Sequence, residues 1–113
     1  MVEECCPPPS CCDMRGMLSF LILFLLSKKE MYGMELAEGI GRRKAEVPNP
    51  GTLYPALKGL EAQGLIKGYV RGKNKYYRLT PKGERELAEA SRYFYQAYAD
   101  VIDEVRRGRL VEV

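Results

Sequence analysis

The chain has 113 residues, 46% hydrophobic and 29% charged, with a net charge of +3 and no histidine. This is the make-up of one globular domain with a modest core, and it argues against a disordered chain or a membrane protein. The sequence offers no imidazole base, no Gly-rich phosphate loop after a strand and no paired carboxylates in a plausible cleft, so an enzyme is not expected.

The first thirteen residues form a Cys/Pro-rich tail, in which Pro7-Pro8-Pro9 prevents a helix. Its four cysteines, Cys5, Cys6, Cys11 and Cys12, leave three readings open. They are thiols kept reduced in the cytoplasm, four thiolates for zinc or another soft metal, or a disulfide or redox sensor. Adjacent cysteines on both sides of a stiff polyproline segment depart from the usual C-x2-C spacing.

Met17 to Leu26 is apolar except for Ser19. It is shorter than the roughly 20 residues a membrane span needs. Acidic residues precede it and no small-residue cleavage site follows, unlike a secretory signal. A cytoplasmic protein is expected. Met14 to Ser27 reads as a first helix, capped by Asp13 and apolar almost all round, hence central in the core or shared with a second subunit. Tyr32, Leu36 and Ile40 recur at intervals of four, so Met31 to Arg43 reads as a second, amphipathic helix.

The next stretch is the most informative. Asn49 is a good N-cap and Pro50 suits the first helical position. Leu53, Ala56, Leu57 and Leu60 form an inward stripe that leaves Tyr54 and Lys58 outside, and Gly64 ends the helix. Leu65 to Arg71 and Lys75 to Thr80 read as strands joined at Gly72-Lys73-Asn74. From Arg42 to Lys82, ten basic side chains stand against Glu46 and Glu61, which leaves the flanks net acidic. A basic middle of this kind suits a polyanion such as nucleic acid. Pro81 then opens a last helix running to about Arg107, with Gly83 tolerated near its start. Leu87, Phe94, Tyr98, Val101 and Val105 lie near a heptad seam, for which either a second subunit or the chain's own first helix is a fitting partner.

The expected fold is mainly α with a small β-hairpin (α+β): a winged helix-turn-helix over residues 14–82, followed over 83–113 by a C-terminal dimerisation helix and tail. In such a fold the second helix of the turn motif enters the major groove and the hairpin lies along the adjoining backbone. Asn49, Gly51 and Thr52 then offer donors to phosphates at the positive helix end, while Tyr54 and Lys58 lie one turn deeper. Lys73, Asn74 and Lys75 serve at the wing, Tyr76 braces it, and Arg42 and Arg43 end the preceding helix, where cations also suit the helix dipole.

Tyr32-Gly33, Pro50-Gly51-Thr52-Leu53-Tyr54-Pro55-Ala56-Leu57, Leu60-Glu61, Gly64-Leu65-Ile66, Tyr76-Tyr77-Arg78-Leu79-Thr80 and Lys82-Gly83 resemble the DNA-binding domain of the PadR family of transcriptional regulators, over roughly Leu18 to Leu87. The resemblance implies a short-form member binding double-stranded DNA as a homodimer. It also implies DNA contact by Gly51, Thr52, Leu53, Tyr54 and Pro55, repression as the common mode, and a small-molecule effector near the last helix. Two other readings stay open beside it: a winged helix used as a protein-protein interaction module, and a metal- or redox-responsive regulator working through the tail cysteines.

Overall fold

The computed structural model describes residues 17–44 and 46–108. The four cysteines, the Asp13 cap and Met14 lie outside the described residues, and the first helix does not run through Met17 as expected: it begins at Leu18, because Met17 adopts a left-handed conformation with φ of 57°. The elements are α1 (Leu18–Lys28), β1 (Met31–Tyr32), α2 (Gly33–Lys44), α3 (Pro50–Ala62), β2 (Ile66–Arg71), β3 (Asn74–Leu79) and α4 (Pro81–Arg106). The strands form one antiparallel sheet in the order β1-β3-β2.

Helix α1 is the hub. Ile22, Leu23, Leu25 and Leu26 are buried, and the helix touches α2, α3, α4 and β3, which accounts for a sequence apolar on nearly every side. Leu36 and Ile40 of α2 and Leu53, Leu57 and Leu60 of α3 close on it to complete the core. Truncating one of these, as in Leu57→Ala, costs about 2–5 kcal/mol because the surroundings refill the void only in part.

Met31 and Tyr32 depart from the helix expected over Met31 to Arg43. They begin no helix; they form a strand paired with Tyr77 and Tyr76. Helix α2 starts at Gly33, where the Glu35 carboxylate accepts the Tyr32 N–H at 3.1 Å. A two-residue strand has too little length to show a period of two, and its partner lies over forty positions further along the chain. The hairpin turn is also tighter than expected. Only Gly72 and Lys73 stand outside the ladder, Arg71 pairs with Asn74, and Gly72 has φ of +65°. A positive φ at the first central position alone is the pattern of a type II′ turn, which matches the strand twist.

At the other end of the sheet, Thr80 is a helix cap and not part of the strand. Its hydroxyl accepts the Gly83 N–H at 3.0 Å, and its own N–H donates to the Leu65 carbonyl at 3.1 Å. Gly83 is more than tolerated: it is buried, and a Cβ there would overlap the Leu65 carbonyl oxygen. Lys82 adds a donation to the Gln63 carbonyl at 2.9 Å, at the negative end of α3. The end of α3, the start of β2 and the start of α4 are thus pinned at one point.

Candidate nucleic-acid interface

Helix α3 starts as its sequence dictates. The Asn49 side chain accepts the Thr52 N–H at 3.0 Å, and Pro50 occupies the first turn, where it sacrifices no hydrogen bond. Asn49, Gly51 and Thr52 are all exposed around this positive end, and a groove whose lining includes both Lys44 and Glu46 with Val47, Pro48 and Asn49 runs past it. The Asn49 carbonyl oxygen on the side chain is engaged in the cap, so what this residue turns outward is chiefly its amide nitrogen.

Tyr54, Lys58 and Glu61 follow at i, i+4 and i+7 and so form one stripe along α3. Tyr54 is 47% exposed and therefore no core residue. Its ring leans back on α2, with the hydroxyl end seated against Gly33. Lys58 is exposed in mid-stripe. Glu61, at the far end, meets the hairpin: its carboxylate accepts the Gly68 N–H at 3.2 Å and pairs with Lys75 at 3.5 Å. The outward stripe of α3 therefore runs beside the base of the wing, and the two form a continuous surface.

Strand alternation sorts the wing into two faces. Ile66, Gly68, Lys75 and Tyr77 point toward the helices, whereas Tyr69, Arg71, Asn74 and Tyr76 point away. Lys73 at the turn and Asn74 beside it are exposed, as the sequence reading placed them. Lys75 lies on the helix-facing side, with its ammonium 5.5 Å from the Tyr77 ring centroid. Burial is the main influence holding the Tyr77 phenol above its ordinary range, and the nearby Lys75 charge opposes it.

On the outward face Tyr76 braces the wing. Its ring lies 5.3 Å from that of Tyr32 and 6.1 Å from that of Tyr69, and the Arg71 guanidinium stacks over it at 4.2 Å. The contact with Tyr76 pushes the Arg71 pKa still higher. Tyr69 donates its hydroxyl to Glu30, which ties the hairpin to the loop before β1 and, through that hydrogen bond first, raises the phenol's pKa. Arg71 and Glu61 are not among the candidates that the sequence marks. Arg71 could have been found from its place beside the tight turn, and Glu61 from its i+7 spacing to Tyr54.

The remaining candidates lie further off. Arg42 is exposed at the end of α2, while Arg43 sits over the Phe24 ring at 5.0 Å and so faces α1. On α4, Leu87 packs against the core and Phe94 stacks on Phe20 of α1 at 5.7 Å, with Tyr98 5.1 Å further along. Val101, Ile102 and Val105 beyond them are exposed at 47%, 39% and 43%. No group of three or more metal-ligating side chains occurs among the described residues, and none of their helices is long and apolar enough to cross a membrane.

Comparison with known proteins agrees with this architecture. Residues 22–89 match the model of the transcriptional regulator PadR-like family. A transcriptional regulator of Mycobacterium tuberculosis is 34% identical over 92 residues, covering 78% of this chain and 85% of that protein. Among solved structures, a transcriptional regulator from Clostridium thermocellum superposes with a TM-score of 0.70 at 29% identity, over 80% of this chain and 94% of its own. A PadR family transcription regulator from Clostridium difficile does so with 0.63 at 33% identity, over 78% and 96%. With the family match spanning the core, α3 and the entire wing, the chain belongs to the PadR-like family of winged-helix, DNA-binding transcriptional regulators.

Proposed function

We propose that the chain is a cytoplasmic repressor that binds a pseudo-palindromic operator as a homodimer and is released by a small-molecule effector. The observation that carries this reading is the continuous surface made by the open start of α3, its Tyr54-Lys58 stripe and the basic wing. Asn49, Gly51 and Thr52 bind phosphates at the helix end, Lys58 reaches a base edge, and Tyr54 contacts the backbone from its seat on Gly33. Lys73 and Asn74 hold phosphates beside the wing tip, and Arg42 supplies a further cation. Lys75 and Arg43 are spent mainly on contacts within the chain.

The α4 seam supplies the dimer. Phe94 anchors the helix to its own α1 and Leu87 packs against the core, and the exposed end bearing Val101, Ile102 and Val105 offers the apolar surface for a second copy. Two recognition helices related by a two-fold axis would meet half-sites roughly 34 Å apart. Substituting Val101 and Val105 together with lysine tests this. Sedimentation should then show monomers, and nuclease footprinting on DNA upstream of the chain's own gene should lose its paired protection. A dimer that survives the double substitution would contradict the seam as the interface.

A further inference from the structure

Lys75 is exposed, yet its side chain folds back along the wing instead of extending from it. Its side chain crosses the neighbouring strand over Gly68, where a Cβ would overlap the Lys75 stem, and its ammonium ends 3.5 Å from the Glu61 carboxylate on α3. The other oxygen of that carboxylate accepts the Gly68 N–H at 3.2 Å. Glu61 thus holds both strands of the wing at once, β2 through a backbone donor and β3 through an ammonium. The pair is only partly exposed, with 48% of the Lys75 and 34% of the Glu61 side chain accessible. It sits on the helix-facing side of the sheet, where Tyr77 is buried beneath it.

We infer that Glu61, Gly68 and Lys75 form a strut that sets the angle of the wing on the recognition helix, so that Lys75 is a positioning residue and no phosphate ligand. The inference rests on the DNA-binding reading for its consequence: Lys73 and Lys58 bind one duplex together only when the wing is held at a fixed angle to α3. Glycine at 68 leaves the space that the lysine stem crosses, since a Cβ there would overlap Lys75 Cε. Its N–H, which any residue but proline would also offer, goes to the carboxylate.

The strut and a phosphate contact predict opposite behaviour. We would measure anisotropy of a labelled duplex from upstream of the chain's own gene over a salt series, for the full chain and for Lys75→Met, Glu61→Gln and Lys73→Ala. With the strut, Lys75→Met weakens binding about two- to fivefold and leaves the salt slope unchanged, whereas Lys73→Ala lowers the slope by about one. Glu61→Gln also weakens binding although it removes a negative charge, and the double variant is no worse than the poorer single one. A slope lowered by about one in Lys75→Met, together with tighter binding by Glu61→Gln, would overturn the proposal.

Amide hydrogen exchange of the free protein separates this from a failure of the DNA-binding reading. Glu61→Ala should speed exchange at Gly68 several-fold and leave core amides such as Leu57 unchanged. If the wild-type chain binds no duplex while Gly68 is deprotected in this way, the strut stands and the DNA-binding reading falls. Unchanged Gly68 exchange would overturn the strut regardless of DNA.

Discussion

The hydroxyl end of Tyr54 rests on Gly33, so closely that a Cβ at position 33 would overlap it. The first turn of α2 and the exposed stripe of α3 are therefore in register through one ring and one missing side chain. Gly33→Ala should force the ring outward at a cost below about 1 kcal/mol, because the atom it displaces is the far end of a half-exposed side chain that can move into solvent. Because the nearest atom is the hydroxyl oxygen, Tyr54→Phe in the same chain should recover part of that loss. Urea denaturation of the two single variants and the double variant measures the coupling; strictly additive losses would show that the two residues do not meet in solution.

The junction at Leu65 makes a second, harsher expectation. At Gly83 the obstacle to a Cβ is the Leu65 backbone carbonyl, which cannot rotate away as a side chain can. Gly83→Ala should cost about 3 kcal/mol, at the upper end for inserted carbon in a packed site. Thr80→Ala, which removes only the cap, should cost about 0.5–2 kcal/mol. Equal losses in thermal unfolding would mean that the helix start tolerates the added carbon by shifting.

Much of this arrangement is legible in the sequence, and the parts that are not have physical reasons. Asn49 and Pro50 mark the start of α3 because capping and proline placement are local chemistry, and both hold. Gly72 marks the turn for the same reason, although the sequence places Asn74 in it as well and the structure pairs Asn74 with Arg71. The strand at Met31 and Tyr32 is invisible locally, because it exists only through pairing with Tyr76 and Tyr77. Lys75 reads as a wing-tip cation until the strand's alternation is applied: a buried Tyr77 obliges Lys75 to share the inward face. The role of Gly83 depends on where the Leu65 carbonyl falls, which no spacing rule reveals.

Tyr77 gives the fold a dependence on alkaline pH. Burial, as the leading cause, lifts its phenol above the unfolded value of about 10. A raised folded pKa means that the neutral phenol is favoured in the native state. Its contribution is complete below about pH 10 and is lost as the pH climbs through the folded value. Urea midpoints taken from neutral to strongly alkaline pH should fall less steeply for Tyr77→Phe than for the wild type. The lysines deprotonate in both proteins over this range, so the difference between the two curves isolates the phenol. Parallel curves would contradict a buried Tyr77.

Lys58 and Lys73 should differ in kind as DNA ligands. Lys73→Ala should weaken binding about equally on every duplex, since a phosphate contact carries no sequence information. Lys58→Ala should cost about 1–3 kcal/mol on the operator and much less on random DNA, which relaxes specificity at one position. Competition binding against a library of single-base operator variants reads both effects. Equal losses for Lys58→Ala on operator and random DNA would remove it from base reading.

Sequence-specific recognition of DNA is the role proposed for the α3 and wing surface. Its most direct test is fluorescence anisotropy of the purified full chain with duplex from upstream of its own gene and with a scrambled duplex, each at two salt concentrations. Binding to the native duplex should be tighter by about 4 kcal/mol or more, with affinity falling steeply as salt rises. Equal affinity for both duplexes, or no binding at physiological salt, would contradict it and favour a surface that docks on another protein.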